Sequence, residues 1–222
     1  RLTFRYPEGP EVLHDLTLRV PAGQFVALIG PNGGGKSTLV RHLNGLLHPT
    51  QGSVTIMGAD TAECTTGDLA RKVGFLFQRP EQQIFAPTVR EEIGYGPRKL
   101  GLSRDDQAVE GTLDRFGLTA SAETPPALLS YGAKRAVTLA SLAILETPIV
   151  VLDEPSVGLD GSGMAQLLSW LAELRERGTT LLVVTHELDL ARCADRVIAI
   201  DAGRIVADGA PDEALANLGW GD

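Results

Sequence analysis

Eight residues constrain this chain more than any others: Gly30-Pro31-Asn32-Gly33-Gly34-Gly35-Lys36-Ser37 matches the pattern G-x-x-x-x-G-K-[ST]. The motif follows Phe25 to Ile29, a continuous apolar run too short for a helix and read as a buried parallel strand. It precedes Leu39, Val40, Leu43, Leu46 and Leu47, whose helical spacing predicts a helix running until Pro49. A glycine loop between strand and helix lets several backbone N–H groups converge on phosphate oxygens, in a curve that side chains would obstruct. Lys36 then offers a charge to β- and γ-phosphates, and Ser37 a hydroxyl to Mg²⁺. A flexible glycine turn with a solvated lysine would not require an eight-residue match in that setting.

A second signal lies far downstream. Ile149-Val150-Val151-Leu152 is an apolar strand ending in Asp153 and Glu154, which sets two carboxylates at the edge where open α/β sheets bind ligands. Asp153 would orient Mg²⁺, directly or through water, and Glu154 would act as general base on the attacking water.

The rest of the chain supplies a scaffold for these two segments. Leu2, Phe4 and Tyr6 alternate with polar residues, as do Leu16, Leu18 and Val20, which predicts two antiparallel strands joined near Pro7 to Pro10. Apolar runs at Val73 to Phe77, Leu181 to Val184 and Val197 to Ile200 predict further buried strands. Met164, Leu167, Leu168, Leu171 and Leu174 predict a helix between two of them, and the alternation argues for a parallel α/β sheet. From about Pro87 to Leu145 no comparable strand occurs. Val109, Leu113 and Phe116 share one helical face there, as do Val137, Ala140 and Ile144, so this stretch reads as a helical lobe inserted into the sheet domain.

Composition narrows the partners. With 43% hydrophobic and 22% charged residues among 222, the chain has the makings of an ordinary globule. Twenty Lys and Arg against 28 Asp and Glu give a net charge of −8, the wrong sign for holding nucleic acid over a broad surface. Cys64 and Cys193 lie far apart without metal-ligand spacing, which argues against a disulfide scaffold or a zinc site and for a reducing cytoplasm. No apolar run reaches the roughly 18–20 residues of a membrane span; the longest, Ala136 to Leu145, carries Thr138 and Ser141. The chain opens at Arg1 without a basic-then-apolar leader, which leads us to expect a cytoplasmic protein shortened by a few residues.

Taken together, these segments resemble the ATP-binding subunit of ATP-binding cassette (ABC) transporters over essentially the whole length. The resemblance implies one ABC ATPase domain over 1–222, with an α/β P-loop NTPase core at about 1–86 and 146–222. That core is RecA-like, its parallel sheet flanked by helices on both faces. It carries an antiparallel β subdomain at its start, and a helical lobe at about 87–145 is inserted into it. It also implies roles. Asn32, Gly33, Gly34, Gly35, Lys36, Ser37 and Thr38 would bind ATP, with Tyr6 stacking on adenine. Ser37, Gln78 and Asp153 would serve Mg²⁺, and Glu154, His186 and Gln78 would serve catalysis. Leu129-Ser130-Tyr131-Gly132-Ala133 occupies the place of the family signature Leu-Ser-Gly-Gly-Gln, departing from it at Tyr131 and Ala133. Ser130 and Gly132, with Asp160 in Ser156-Val157-Gly158-Leu159-Asp160, would reach the nucleotide across a dimer, whose second ATPase subunit is another copy or a paralogue.

Phe77 to Val89 and Gly94-Tyr95-Gly96-Pro97 are similar to energy-coupling factor (ECF) ATPases of cobalt, nickel and biotin importers. That implies a peripheral subunit at the cytoplasmic face of the membrane. It would work with a transmembrane coupling subunit, whose helix Ile84, Phe85 and Val89 would receive, and with a substrate-capture subunit. Two other classes fit the phosphate loop: a non-transport ABC ATPase acting on DNA or ribosomes, and a small-molecule phosphotransferase. The first usually brings a coiled coil, a second cassette or a basic face, and the second a lid with arginines; neither set is visible in this sequence.

Overall fold

The structure, a computed structural model, describes residues 1–216. Its centre is a six-stranded sheet in the order β11-β10-β3-β9-β8-β7, comprising β3 (Phe25–Ile29), β7 (Val73–Leu76), β8 (Ile149–Asp153), β9 (Thr180–Val184), β10 (Arg196–Asp201) and β11 (Arg204–Gly209). Five strands are parallel and β11 pairs antiparallel with β10 at the edge. Both faces are covered, which is why β3 reads as one unbroken apolar run. Phe25, Ala27 and Ile29 enter one core, and Val26 and Leu28 enter the other.

The first core is closed by α3 (Val89–Leu100), α4 (Asp106–Arg115), α5 (Tyr131–Ala143), α6 (Gly161–Glu176), α7 (Leu188–Arg192) and α8 (Pro211–Ala216). Val109, Leu113, Phe116, Val137, Ala140 and Ile144 are all buried there. The second core is closed by α1 (Lys36–Val40), α2 (Thr66–Ala70) and a small antiparallel sheet in which β1 (Leu2–Arg5) lies between β2 (Glu11–Leu16) and β4 (Gln51–Gly52). A separate hairpin, β5 (Thr55–Ile56) with β6 (Ala59–Asp60), turns through Met57 and Gly58, both at positive φ as a two-residue turn requires. No described helix is long and apolar enough to cross a membrane.

Two sequence expectations are corrected. The second strand is Glu11–Leu16, not Leu16 to Val20. Leu18 and Val20 are indeed less exposed than Thr17 and Arg19, but pairing with β1 ends at Leu2 opposite Leu16, so the alternation continues without a ladder. The helix after the glycines stops at Val40 rather than near Pro49. His42 and Leu43 donate to carbonyls three residues back, and Gly45 takes φ 73, so the chain tightens into turns while Leu43 and Leu47 still pack on the core. The expected parallel sheet is present, with β11 added at its edge by antiparallel pairing with β10, a strand that the sequence does not signal. Its residues alternate between exposed and half-buried, and no Asn-Gly or Asp-Gly marks its turn at Ala202-Gly203.

Candidate active site

The parallel strands deliver four segments to one edge of the sheet. The glycine loop follows β3, Gln78 follows β7, Asp153 ends β8 with Glu154 next to it, and His186 follows β9. This is the carboxyl edge, where open α/β sheets hold ligands. Val12, Asn32, Gly33, Gly34, Gly35, Lys36, Ser37, Thr38, Gln78, Glu154 and His186 line a cavity there of about 320 Å³.

Packing behind the loop makes glycine obligatory at its start. A Cβ on Gly30, at φ 138, would sit 2.0 Å from the Ile200 carbonyl oxygen on β10. The tip is different in kind, since a Cβ on Gly33 would meet nothing within 4 Å, so the loop keeps an open backbone face toward the cavity. Lys36 is buried, with Nζ donating to the carbonyls of Gly30 at 2.7 Å and Pro31 at 2.9 Å. Burial pushes its pKa down, while the nearby carboxylates of Glu154 and Asp153 hold it up.

Ser37 Oγ donates to Asp153 Oδ1 at 3.2 Å, joining the loop to β8. Asp153 is fully buried, and desolvation raises its pKa against the Ser37 hydrogen bond and the charges of Arg41, Lys36 and Arg135. Glu154 takes a left-handed backbone conformation, φ 53, pinned by its N–H to the Val184 carbonyl at 2.9 Å. A non-glycine residue there is strained, and such strain collects at functional sites. Burial, then the neighbouring Asp153, pushes the Glu154 carboxyl up to about 7, opposed by Lys36. His186 Nε2 lies 3.0 Å from Glu154 Oε1, yet that oxygen has no aligned hydrogen bond, so the contact is one of proximity. The His186 ring is itself held below its ordinary pKa by partial burial and by Lys36.

The donors suit Mg²⁺. A serine hydroxyl and a buried carboxylate are hard oxygen ligands, and among the described residues no group of three His, Cys, Asp or Glu could hold a metal unaided. A cation bound through few protein oxygens and substrate phosphates is the mode Mg²⁺ prefers.

Other expected site residues stand elsewhere. Tyr6 is half-buried, its hydroxyl 3.2 Å from Thr38 Oγ1 and its ring edge-on to Phe4, so it adjoins the cavity without lining it. Ser130 caps α5, accepting from the Ala133 N–H at 3.3 Å, and Asp160 caps α6, accepting from the Gly163 N–H at 2.8 Å. Neither these nor Gly132 lines the cavity of their own chain. Gly132 instead approaches the Gly158 carbonyl, so the signature segment and the 156–160 loop sit together. Sequence reasoning passed over Val12, a strand residue whose carbonyl backs Gly35, and Arg135, which is fully buried although charged. No spacing rule marks Val12, and Arg135 sits among the small and apolar residues of a buried helix face, which could have singled it out.

A mixed sheet with a glycine loop at its carboxyl edge, a serine–aspartate pair and a raised glutamate defines a P-loop nucleoside triphosphatase. The sequence model of the family described as ABC transporter matches residues 13–157, and the chain belongs to that family as an ATP-binding, ATP-hydrolysing domain. The energy-coupling factor transporter ATP-binding protein of Methanocaldococcus jannaschii is 38% identical over 222 residues, covering 98% of this chain and 80% of that protein. The cobalt import ATP-binding protein of Rhodobacter capsulatus is 41% identical over 221 residues, covering 97% and 79%. Among solved structures, cbiO1 of Clostridium perfringens, part of an ABC transporter complex, superposes with a TM-score of 0.80 at 28% identity, covering 97% of this chain and 88% of that one. A dimeric ATP-binding cassette in a post-hydrolysis state with ADP and Pi superposes at 0.86 with 26% identity, covering 95% of each chain.

Proposed function

We propose that this chain is the ATPase of an ECF-type uptake system for a transition-metal ion such as cobalt or nickel, or for a vitamin such as biotin. It works at the cytoplasmic face of the membrane with a second ATPase subunit, a transmembrane coupling subunit and a substrate-capture subunit. The observation that carries the catalytic part is Glu154, a buried carboxyl brought to about 7 in the same cavity as Lys36, Gln78 and His186. A base titrating near working pH is the one best able to take a proton from water.

In this reading the loop N–H groups from Gly33 to Ser37 cradle the phosphates, and Lys36 exchanges the Gly30 and Pro31 carbonyls for phosphate oxygens. Ser37 and Asp153, with Gln78, hold Mg²⁺, which when bound supplies positive charge against the phosphate oxygens. Glu154 accepts the proton of the attacking water, and His186 orients the γ-phosphate. Ser130, Gly132 and Asp160 serve the partner's nucleotide.

A second cavity, of about 350 Å³, supports membrane coupling. It opens between α2, β7, α3 and α5, and Phe77, immediately before Gln78, lines it together with Gln83, Glu92 and Leu142. Glu92 accepts the N–H groups of Phe85 and Ala86 at 2.9 and 2.7 Å, shaping the segment beside it. Phe85 stands exposed there, edge-on to Tyr95 at 4.5 Å. Val89, expected to share in docking, is buried in the core instead; an exposed aromatic pair near a mostly apolar groove suits a docked helix.

The test is reconstitution: co-express the chain with membrane proteins encoded beside it, purify the assembly, and measure ATP-driven accumulation of labelled cobalt, nickel or biotin in vesicles. Accumulation that needs Glu154 supports the reading. A chain that hydrolyses ATP but assembles with no membrane protein overturns the transport part.

A further inference from the structure

Arg135 heads the largest fully buried side chains, and among the described residues it forms no salt bridge. Glu81 and Asp153 act on its charge only from a distance, and a buried cation without a paired carboxylate is costly unless fixed dipoles take the place of water. Here two backbone carbonyls do so: Nη1 donates to Phe77 O at 2.9 Å and Nη2 to Gln78 O. These are the residues that carry β7 into the nucleotide cavity. One turn earlier on α5, the Tyr131 ring lies 6.0 Å from the guanidinium carbon, with its hydroxyl 3.5 Å from Nη2. The same ring packs against Gly158, where a Cβ would come within 2.2 Å of Tyr131 Cδ1.

We infer that Arg135, braced by Tyr131 against Gly158, is a positioning residue that fixes Gln78 to the head of α5, so that the helix bearing Ser130 and Gly132 and the loop bearing Gln78 move as one body. Tyr131 is then an addition with a task. Its ring spans from the 156–160 loop to the guanidinium, which a glycine at this position could not do. The inference rests on the ATPase reading, in which Gln78 acts at the nucleotide, but it assigns residues that reading does not use.

The purified full chain tests it, with hydrolysis by the parent measured first. Arg135→Met keeps the volume and removes the donors, so kcat should fall about 10- to 100-fold through a displaced Gln78, while KM for ATP stays within about two-fold. Arg135→Lys, which can reach one carbonyl, should recover part of the loss. Adding Gln78→Ala to Arg135→Met should cost little more, because both lesions act through one group. Multiplicative losses in that cycle, or an unchanged kcat in Arg135→Met, overturn the inference. Should Arg135→Met fail to fold, Tyr131 decides: Tyr131→Phe should stay near the parent and Tyr131→Gly should lose kcat, and equal rates overturn the brace. A parent chain that neither binds nor hydrolyses ATP would instead sink the ATPase reading itself.

Discussion

His186 Nε2 stands 3.0 Å from Glu154 Oε1, the first delivered by the end of β9 and the second by the end of β8. The two strands pair in parallel register, Asp153 opposite Val184, so the sheet itself sets this distance. Glu154→Gln keeps the shape and removes the base, and turnover should fall about 10²–10⁴-fold while ATP binding persists. His186→Ala should lower turnover less, since it leaves the base in place. Single-turnover hydrolysis with a parallel binding titration separates the effects, and parental turnover in Glu154→Gln would put the base elsewhere.

Lys36 makes the opposite kind of prediction. Its ammonium is already desolvated and needs only to exchange two carbonyls for phosphate oxygens. Losing charged hydrogen bonds of about 1.5–3 kcal/mol in Lys36→Ala should weaken ATP binding about 10- to 150-fold. Titration with a fluorescent ATP analogue reads this directly, and unchanged affinity would contradict the phosphate assignment.

Asp160 should leave a pH signature in stability. Its carboxylate accepts from the Gly163 N–H and Ser162 Oγ at the start of α6, which holds its pKa below 3.8. A group depressed on folding contributes stability that is present above the unfolded value and lost as pH falls through the folded one. Asp160→Ala should therefore unfold at lower urea than the parent at neutral pH, and the gap should narrow once the pH is well below 3.8. A gap of constant size across that range would mean that the carboxylate is not the cap.

Much of this architecture was legible because one physical signal dominated each part. Buried parallel strands are apolar on both faces, so Phe25–Ile29 and Ile149–Asp153 announced themselves, and the motif residues at their ends followed. What escaped was set by tertiary contact. The turns after Val40 keep helical spacing of leucines without helical bonding, and β11 is an exposed edge whose turn packs behind the glycine loop, with Gly203 N–H donating to Gly34 O at 2.9 Å. Only the fold shows the Arg135 guanidinium meeting Phe77 and Gln78, 58 and 57 positions earlier.

Because Ser130, Gly132 and Asp160 lie outside the cavity of their own chain, a shared site predicts complementation. Lys36→Ala and Ser130→Arg chains should each be nearly inactive alone. Mixed, they should recover one good site per heterodimer, since both lesions fall in the same site and leave the other intact. ATPase activity of tagged and separated heterodimers measures this, and no recovery would count against two shared sites.

Phe85 offers the sharpest test of coupling, because the residue is 62% exposed and its ring packs edge-on to Tyr95. An aspartate there removes little buried area, so Phe85→Asp should fold and melt near the parent, within about 0.5 kcal/mol as surface changes usually do. The Glu92 hydrogen bond to the Phe85 N–H is a backbone contact and survives the substitution. ATP binding and hydrolysis by the chain alone should persist. In the assembled system, a charge set into an apolar rim would be desolvated by any docked helix, which is costly without a partner. Phe85→Asp should therefore fail to co-purify with the membrane subunit and should abolish cargo uptake. Normal assembly and transport by this variant would move the docking site away from Phe85.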